Sequence, residues 1–306
     1  MQKQLVIWFC SIFLLPGLAM ATTMGSISQF AGNVSIINKQ HKTTPAKTGA
    51  LLFPNHTLQT GENSYSTIFL RTGSLLVLFK NTRIRFSKAS KSNPHRLIIL
   101  DQGTIWIKHS TQKYQGVVRT PTSTSWASSA ILLTRYEKKS DKSIISAISG
   151  EADVVINKKK FKLKQNQTIS SKLKKVTELK SKIILSAPLK KYYLPKSGKL
   201  SLSIDASLIG ISQKIIDKGP HQAIILSDHP YSVLAKPLIS FNQKETAFKF
   251  AISSAGRKNL YIIAPRTKEF PGAAGSFHIE IRPSGIAKTM KIKTSRGTIH
   301  LKLVPK

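Results

Sequence analysis

Two lysine-rich stretches hold the residues of this sequence that are best suited to chemistry, and that chemistry is the binding of anions. The first, VVINKKKFKLKQNQ at 154–167, predicts a hairpin with lysines at its tip and further lysines alternating outward on its second strand. The second, MKIKTSRGTIHLKL at 290–303, alternates basic and apolar residues in the same way. Ammonium and guanidinium groups pair with phosphate and carboxylate groups. The candidate binding residues are Lys158, Lys159, Lys160, Lys162, Lys164, Lys291, Lys293 and Arg296.

A second interpretation of these lysines is structural. Like charges on one strand face destabilise a sheet unless water or a partner surrounds them, and lysine commonly protects exposed strand edges against aggregation. The two stretches are therefore either a docking surface for an anionic partner or a solvated face that protects the edges of a sheet.

Motifs for catalysis and for metal binding are missing from the chain. The sequence contains no nucleophile elbow, no H-E-x-x-H zinc motif and neither type of glycine-rich phosphate loop. Its 8 histidines are scattered without metal-ligand spacing. Glu151 and Asp153 share one strand face, where we expect them to offset nearby lysines, and we expect the GAAG run at 272–275 to be a flexible turn. We therefore predict no enzymatic activity and no cofactor.

The charge balance is strongly basic. The chain has 306 residues with 48 Lys and Arg against 13 Asp and Glu, a formal net charge of +35. A surface of this kind attracts polyanions over roughly a Debye length, about 8 Å in physiological salt. The alternative explanation is a compositional bias toward lysine, with the charges spread over solvated faces.

The first residues have the order of a secretory signal peptide. Lys3 precedes an apolar run at 5–15, and the small residues Ala19 and Ala21 complete an A-x-A cleavage site. We expect residues 1–21 to be removed. Cys10, the single cysteine, lies in this segment, so the mature chain would have no disulfide and no thiolate site.

Export restricts the partners that the basic surface can meet. We expect a periplasmic or extracellular protein whose partner is an envelope macromolecule or a periplasmic or outer-membrane protein. Anionic lipid headgroups and cell-wall polymer are further candidates, whereas chromosomal nucleic acid is disfavoured. No second long apolar segment follows the signal, so we expect no transmembrane span in the mature chain.

The elements that must position these residues are β-strands. Short runs of β-branched and aromatic residues recur between glycines and polar residues, which predicts an all-β fold. In LIILDQGTIWIK at 97–108, the Asp-Gln-Gly step predicts a tight turn between two strands. The runs divide into a first domain at 24–170 and a second at 187–306, for which we expect an immunoglobulin-like sandwich. The linker at 171–186 is expected to be a helix, with 171–182 as its best candidate, or an extended connector.

The first block resembles the FecR domain, a β-rich periplasmic module. The resemblance begins with GNVSII at 32–37, continues through LQTGENSYSTIFLRTGSLLVLFKNTRIRF at 58–86 and RLIILDQGTIWIK at 96–108, and ends with LKQNQTIS at 163–170. The recurring steps are Thr60-Gly61, Gly73-Ser74 and Thr120-Pro121. The chain departs from the family pattern at Thr72, where aspartate is usual, and at 126–129, where a Gly-Thr pair is usual. The resemblance implies a coiled, solenoid-like β-sheet over about 24–170.

The resemblance also bears on function. Typical FecR proteins have a cytoplasmic segment that controls a sigma factor, followed by a membrane helix, and an export signal at the start of this chain leaves no room for that segment. We therefore expect a non-enzymatic, exported envelope protein with a FecR-like binding or scaffold module and a basic surface. The alternative is a periplasmic signalling regulator of the FecR type that acts through an outer-membrane transducer. A third possibility, an enzyme acting on cell-wall or surface polymer, is disfavoured by the missing motifs.

Overall fold

The fold of this protein is all-β, as predicted. The computed structural model describes residues 23–87, 97–109, 116–179, 181–186, 191–195, 197, 199–218, 221–227, 238–241, 243–253, 255–265, 270, 272–283, 288–294 and 297–303. Two short helical turns, η1 (Lys138–Ser140) and α1 (Gln213–Ile216), accompany the strands in these ranges. Within the same ranges, no helix combines the length and the apolar character needed to cross a bilayer.

The N-terminal unit consists of two sheets that share one strand. Its strands are β1 (Gly25–Ala31), β2 (Val34–Ile37), β3 (Thr43–Pro45), β4 (Leu51–Leu52), β5 (Thr57–Thr60), β6 (Tyr65–Leu70), β7 (Leu75–Leu78), β8 (Arg83–Ser87), β9 (Leu97–Lys108), β10 (Gly116–Thr120), β11 (Ser123–Ala127), β12 (Ile131–Glu137), β13 (Lys142–Ser149), β14 (Ala152–Ile156), β15 (Lys159–Leu163), β16 (Gln167–Ser170) and β17 (Val176–Glu178). The outer sheet has the order β3-β2-β5-β8-β9-β10-β11-β14-β15. The inner sheet has the order β4-β1-β6-β7-β9-β12-β13-β16-β17. Only the β9–β10 pairing is parallel among these.

Strand β9 joins the two sheets, and it corrects the turn predicted at Asp101–Gln102–Gly103. The strand is continuous: its first half pairs with β8 and β10 in the outer sheet, and its second half pairs with β7 and β12 in the inner sheet. The bend between the halves lies at Gly103, which has φ +95°. A Cβ there would lie 2.4 Å from Oγ1 of Thr82 and 2.5 Å from its Cα. The turn signal therefore marks a crossing between sheets and not a hairpin.

A common apolar core fills the space between the two sheets. Side chains from the inner sheet, such as Ile68 and Leu76, and from the outer sheet, such as Leu58 and Ile84, belong to one cluster and are fully buried. Burial of one such side chain stabilises a fold by roughly 1.5–3 kcal/mol. The alternation of apolar and polar residues that predicted the strands thus places one face of each sheet in this core. The solenoid-like description of the unit stays a prediction.

The C-terminal unit is a second pair of sheets. Its strands are β18 (Lys182–Ser186), β19 (Lys191–Leu194), β20 (Leu200–Ile209), β21 (His221–Ser227), β22 (Leu238–Phe241), β23 (Glu245–Ile252), β24 (Gly256–Ala264), β25 (Ala273–Pro283), β26 (Lys288–Thr294) and β27 (Gly297–Leu303). One sheet is β18-β20-β23, the other is β19-β25-β24-β21-β22, and β26-β27 is a separate hairpin. Ile204, Ile225 and Ile262 belong to the core cluster of this unit. The sandwich-like grouping is compatible with the sequence interpretation, and its immunoglobulin-like topology stays a prediction.

Two local expectations in and near this unit need correction. Of the two alternatives for the linker at 171–186, the helix at 171–182 is wrong and the extended form fits: its described part forms a turn, strand β17 and the start of β18, because pairing with β16 and β20 outweighs local helix propensity. The GAAG run at 272–275 is no flexible turn, since β25 begins at Ala273. A Cβ at Gly275 would lie 2.3 Å from the carbonyl oxygen of Ile183, so this glycine permits close packing of β25 against β18.

The two units pack against each other through the inner sheet. A third apolar cluster combines Val77 and Trp106 of the N-terminal unit with Tyr261 and Ile263 of the C-terminal unit. The Trp106 and Tyr261 rings have centroids 5.3 Å apart, and Trp106 is 1% exposed. The outward face of the inner sheet is therefore an interface between units, and the outward face of the outer sheet takes no part in this cluster.

Candidate functional site

The lysine-rich hairpin predicted at 154–167 is present as β14 and β15. The strands are antiparallel, with Ile156 opposite Lys159 and Asp153 opposite Lys162. Asn157 and Lys158 form the turn with φ values of 48° and 66°, the left-handed conformation of two-residue hairpin loops. Asparagine tolerates this conformation better than most residues, so the sequence favours the turn at this place.

The lysines of this hairpin are exposed, and the alternation places them on a common face. Lys160, Lys162 and Lys164 are exposed while Leu163 between them is buried, as the period of two in a strand requires. Lys158 and Lys159 are also exposed at the tip. Strand β15 is an edge strand of the outer sheet in the part of the chain that the structure describes, because its register pairing is with β14 alone.

Acidic side chains offset only part of this charge. Lys162 Nζ lies 2.7 Å from a carboxylate oxygen of Glu151. The hydrogen bond to Lys162 lowers the pKa of Glu151, and the same bond raises the pKa of Lys162. The described residues provide no carboxylate within ion-pair distance of Lys158 or Lys160. The expectation that acids here offset lysines therefore holds for Glu151.

The basic surface extends beyond the hairpin across the outer sheet. Lys160 is opposite Val155, Val155 opposite Thr124, and Thr124 opposite Arg119 in the ladders of β15, β14, β11 and β10. The same row continues through Ile99 of β9 to Arg85 of β8. Residues paired in this way share one face of a sheet, and neighbouring strands are about 4.8 Å apart. The row from Lys160 to Arg85 therefore spans roughly 24 Å, a length suited to a macromolecule.

An aromatic side chain lies in the next row. Trp126 is opposite both Asp153 and Val117, so it is on the same face as the basic row, and it is half-buried. We call Arg85, Arg119, Trp126, Lys160 and Lys162 the basic face. Tryptophan and arginine are the residues enriched at the energetic centres of protein interfaces.

One member of the basic face is held by a bidentate ion pair. Arg85 Nε and an Nη lie 2.7 Å from the two carboxylate oxygens of Asp101, and this hydrogen bonding raises the pKa of Arg85. Asp101 belongs to the bend of β9, so the crossing between sheets also orients a basic side chain on the outer face.

The other predicted basic residues lie elsewhere. Lys291 and Lys293 belong to β26, whose hairpin with β27 is a separate two-stranded sheet, and Arg296 lies outside the described residues. Ala19 and Ala21 of the predicted cleavage site also lie outside them. The structure thus groups Lys158–Lys164 on one hairpin and does not join that hairpin to β26 by hydrogen bonding.

Sequence reasoning missed Arg85, Arg119 and Trp126. A single basic residue in a strand, such as Arg119 in GVVRT, looks like an ordinary solvated residue. The alternation in RIRFS indicates which way Arg85 points, but only the pairing of distant strands places it in a row with Lys160.

Comparison with known proteins identifies the module that carries most of this face. Residues 56–153 match the FecR protein family, so the chain contains a FecR domain, which spans β5 to β13 and the start of β14. Arg85, Arg119 and Trp126 lie inside the match, whereas Lys160 and Lys162 follow it. A search of curated proteins found no significant match.

Among solved structures, two crystal structures of a candidate anti-sigma factor from Parabacteroides distasonis ATCC 8503 are similar. They are 15% and 14% identical to this chain, each with a TM-score of 0.36. The alignment covers 40% of this chain and 58% of those chains, which is less than two thirds of their length.

Proposed function

We propose that this protein is a non-catalytic regulator of the FecR type that acts in the cell envelope by binding another protein through the outer sheet of its FecR domain. The match of residues 56–153 to the FecR family is the observation that carries this proposal. It favours the signalling alternative over a general envelope scaffold, because the family resemblance implies a regulator that communicates with a transducer.

The basic face is the proposed contact surface. It combines Arg119, Arg85 and the half-buried Trp126 on one side of a sheet, and the other sheet of the same unit is covered by the C-terminal unit. Rows of exposed side chains on a rigid sheet present a fixed pattern to a partner, and basic side chains favour a partner with an acidic surface. The export predicted from residues 1–21 supplies the proposed compartment, the periplasm.

The test combines a contact measurement with a regulatory measurement in living cells. A photo-crosslinking amino acid replaces Thr124, in the middle of the basic face, or Lys139, which lies in the turn at the far end of β12. We expect an envelope protein to crosslink at position 124 and not at position 139. We also expect deletion of the gene to change iron-responsive or envelope-stress transcripts, and the Arg119→Glu variant to fail to restore them. Unchanged transcripts in the deletion strain would exclude the regulatory function.

A second candidate function is a binding or scaffold protein for anionic envelope polymer. The observation that favours it is the position of the tip lysines Lys158, Lys159 and Lys160, which form no ion pair with any residue in the described part of the chain and lie beyond the FecR match. This function predicts binding of the purified mature chain to anionic phospholipid vesicles or cell-wall polymer that falls steeply with added salt, because such binding is charge-driven. Transcripts would then be unaffected by Arg119→Glu.

A further inference from the structure

The two sheets of the N-terminal unit end in edge strands, and most of these edges offer little to a partner. In the described chain, β4 has 2 residues, β17 has 3, and β3 has 3 and ends at Pro45, which has no N–H to donate. Strand β15 is different: it has 5 residues, contains no proline and pairs in regular register with β14 alone. Short edges and proline are devices by which proteins prevent pairing at an edge, and β15 lacks both.

The turn of the hairpin decides which backbone groups of β15 bond to β14. Asn157 and Lys158 form a two-residue loop, so Ile156 and Lys159 are the pair that closes it. In such a hairpin the closing pair exchanges both of its backbone hydrogen bonds. The bonded pairs then alternate along an antiparallel ladder, so every second residue of β15 after Lys159 bonds to β14 in the same way.

The residues between them direct their backbone groups to the open edge. These are Lys160 and Lys162, whose N–H and C=O groups have no backbone partner in the described part of the chain. The open stretch ends at Lys164, where the N–H donates to Oε1 of Gln167 at 2.9 Å. Donors and acceptors thus alternate along one line of β15, which is the pattern that an added strand satisfies.

The side chains of β15 specify the kind of strand that fits. Lys160 and Lys162 lie on the exposed face, and Phe161 lies on the other face, half-buried against the common apolar core. Residues of an added strand that lie opposite these three share their faces, because side chains alternate with a period of two in both strands. Acidic residues opposite the two lysines and an apolar residue opposite Phe161 would complete the cross-strand pairs.

The charge at this edge disfavours a second copy of the chain as the occupant. Two β15 strands paired with each other would bring Lys160 and Lys162 of one copy next to those of the other, and like charges opposite each other destabilise a sheet. Lys162 has an ion-pair partner in Glu151 at 2.7 Å, whereas Lys160 has no carboxylate partner among the described residues. An acidic strand from another protein would supply that partner.

From these observations we infer that β15 binds an extended segment of a partner protein as an additional strand, and that acidic and apolar residues alternate in that segment. The open backbone groups favour a polypeptide over a charged polymer, because a polymer without peptide groups cannot continue the ladder. The inference deepens the proposed function and rests on it for the class of partner, a protein. It adds the strand with which the partner pairs and the sequence pattern that the partner uses.

The test measures the binding of two fluorescent heptapeptides to the purified mature chain by fluorescence anisotropy. The first peptide alternates glutamate and valine, with glutamate at both ends, and the second has the same composition with all glutamates in one block. We expect saturable binding of the alternating peptide and about tenfold weaker binding of the block peptide, because only alternation places every glutamate on the lysine face. Amide hydrogen exchange at Lys160 and Lys162, followed by NMR, should slow when the alternating peptide binds.

Two variants at one position separate strand pairing from charge. Lys160→Pro and Lys160→Thr both remove the charge, but only proline removes the N–H that points to the open edge. Proline is tolerated at such a position, since no bond to β14 is lost. We expect Lys160→Thr to weaken binding of the alternating peptide about threefold and Lys160→Pro to weaken it about tenfold. If Lys160→Pro does not fold, the two peptides and the amide exchange decide the question.

The other outcomes assign the edge differently. Equal binding of the two peptides, or equal weakening in both variants, would indicate contact by charge alone and would overturn the inference. A dimer of the chain that the alternating peptide disrupts would also overturn it, because the occupant would then be a second copy. A crosslink at Thr124 without peptide binding would overturn the edge pairing alone, whereas peptide binding with unchanged transcripts in the deletion strain would overturn the regulatory function alone.

Discussion

Replacement of Gly103 by alanine tests the role of the bend that carries β9 from one sheet to the other. The residue has φ +95°, a conformation that costs an L-residue roughly 1–2 kcal/mol. The added Cβ would also lie 2.5 Å from Cα of Thr82 and 2.7 Å from the carbonyl oxygen of Asn81, two backbone atoms that cannot rotate away. Overpacking of this kind costs about 1–3 kcal/mol.

A hydrogen-bond pair is lost in the same substitution. Oγ1 of Thr82 accepts from the N–H of Thr104 at 3.0 Å and donates to its carbonyl oxygen at 3.1 Å, and the new Cβ would lie 2.4 Å from that Oγ1. Disruption of this contact costs about 1 kcal/mol. Together these effects predict that Gly103→Ala lowers the free energy of unfolding by about 3–6 kcal/mol.

Gly49→Ala is the matched control, because it has the same backbone conformation without the crowding. Gly49 has φ +83°, and a Cβ there would meet nothing within 4 Å. We expect a loss of only about 1–2 kcal/mol from backbone strain. Urea unfolding followed by tryptophan fluorescence measures both variants. A Gly103→Ala variant that is no less stable than Gly49→Ala would refute the argument that crowding at the crossing requires glycine.

Three further predictions concern the interface, the basic face and the buried histidine. Trp106→Ala should lower the free energy of unfolding by about 3–5 kcal/mol, because it leaves a cavity between the two units. Limited proteolysis in urea should then separate the units at a lower urea concentration than in the wild type. A variant as resistant to proteolysis as the wild type would contradict this packing. Combined Arg119→Glu and Lys160→Glu should weaken capture of the crosslinked partner about tenfold relative to the wild type, whereas Lys139→Glu should leave it unchanged. Equal capture by the double variant and the wild type would exclude the basic face as the contact surface. Burial lowers the pKa of His109 to about 4, below the unfolded value of 6.5, so the unfolded state binds the proton more readily. Stability contributed by neutral His109 is therefore present above pH 6.5 and is lost by up to about 3 kcal/mol as the pH falls toward 4. The His109→Gln variant should reduce this pH dependence of the free energy of unfolding, which urea titrations at several pH values measure.

The alternation of side chains along single strands could be predicted from the sequence. The exposure of Lys160 and Lys162 with Leu163 buried between them follows from a period of two, which depends only on neighbours in the chain. The two-residue turn at Asn157 and Lys158 is local in the same sense. The FecR resemblance was also present in the sequence, because its recurring Thr-Gly and Gly-Ser steps mark the ends of strands.

Local patterns were ambiguous where two different structures share one signal. An Asp-Gln-Gly step serves a hairpin turn and a bend between sheets equally well, and the partners of β9 decide between them. The helix formers at 171–182 have a propensity of a few tenths of a kcal/mol each, which is less than a strand gains by pairing with β16.

Composition, strand alternation and family pattern, all readable along the chain, determined that this protein is all-β, basic and built on a FecR domain. Only the tertiary structure decided that Arg85, Arg119 and Lys160 form one row, that Trp106 packs against Tyr261, and that the His109 ring is buried beside Gly116. The physical reason is distance along the chain. Which strands become neighbours depends on the simultaneous burial of the apolar faces of all of them, and no single segment of the sequence contains that information.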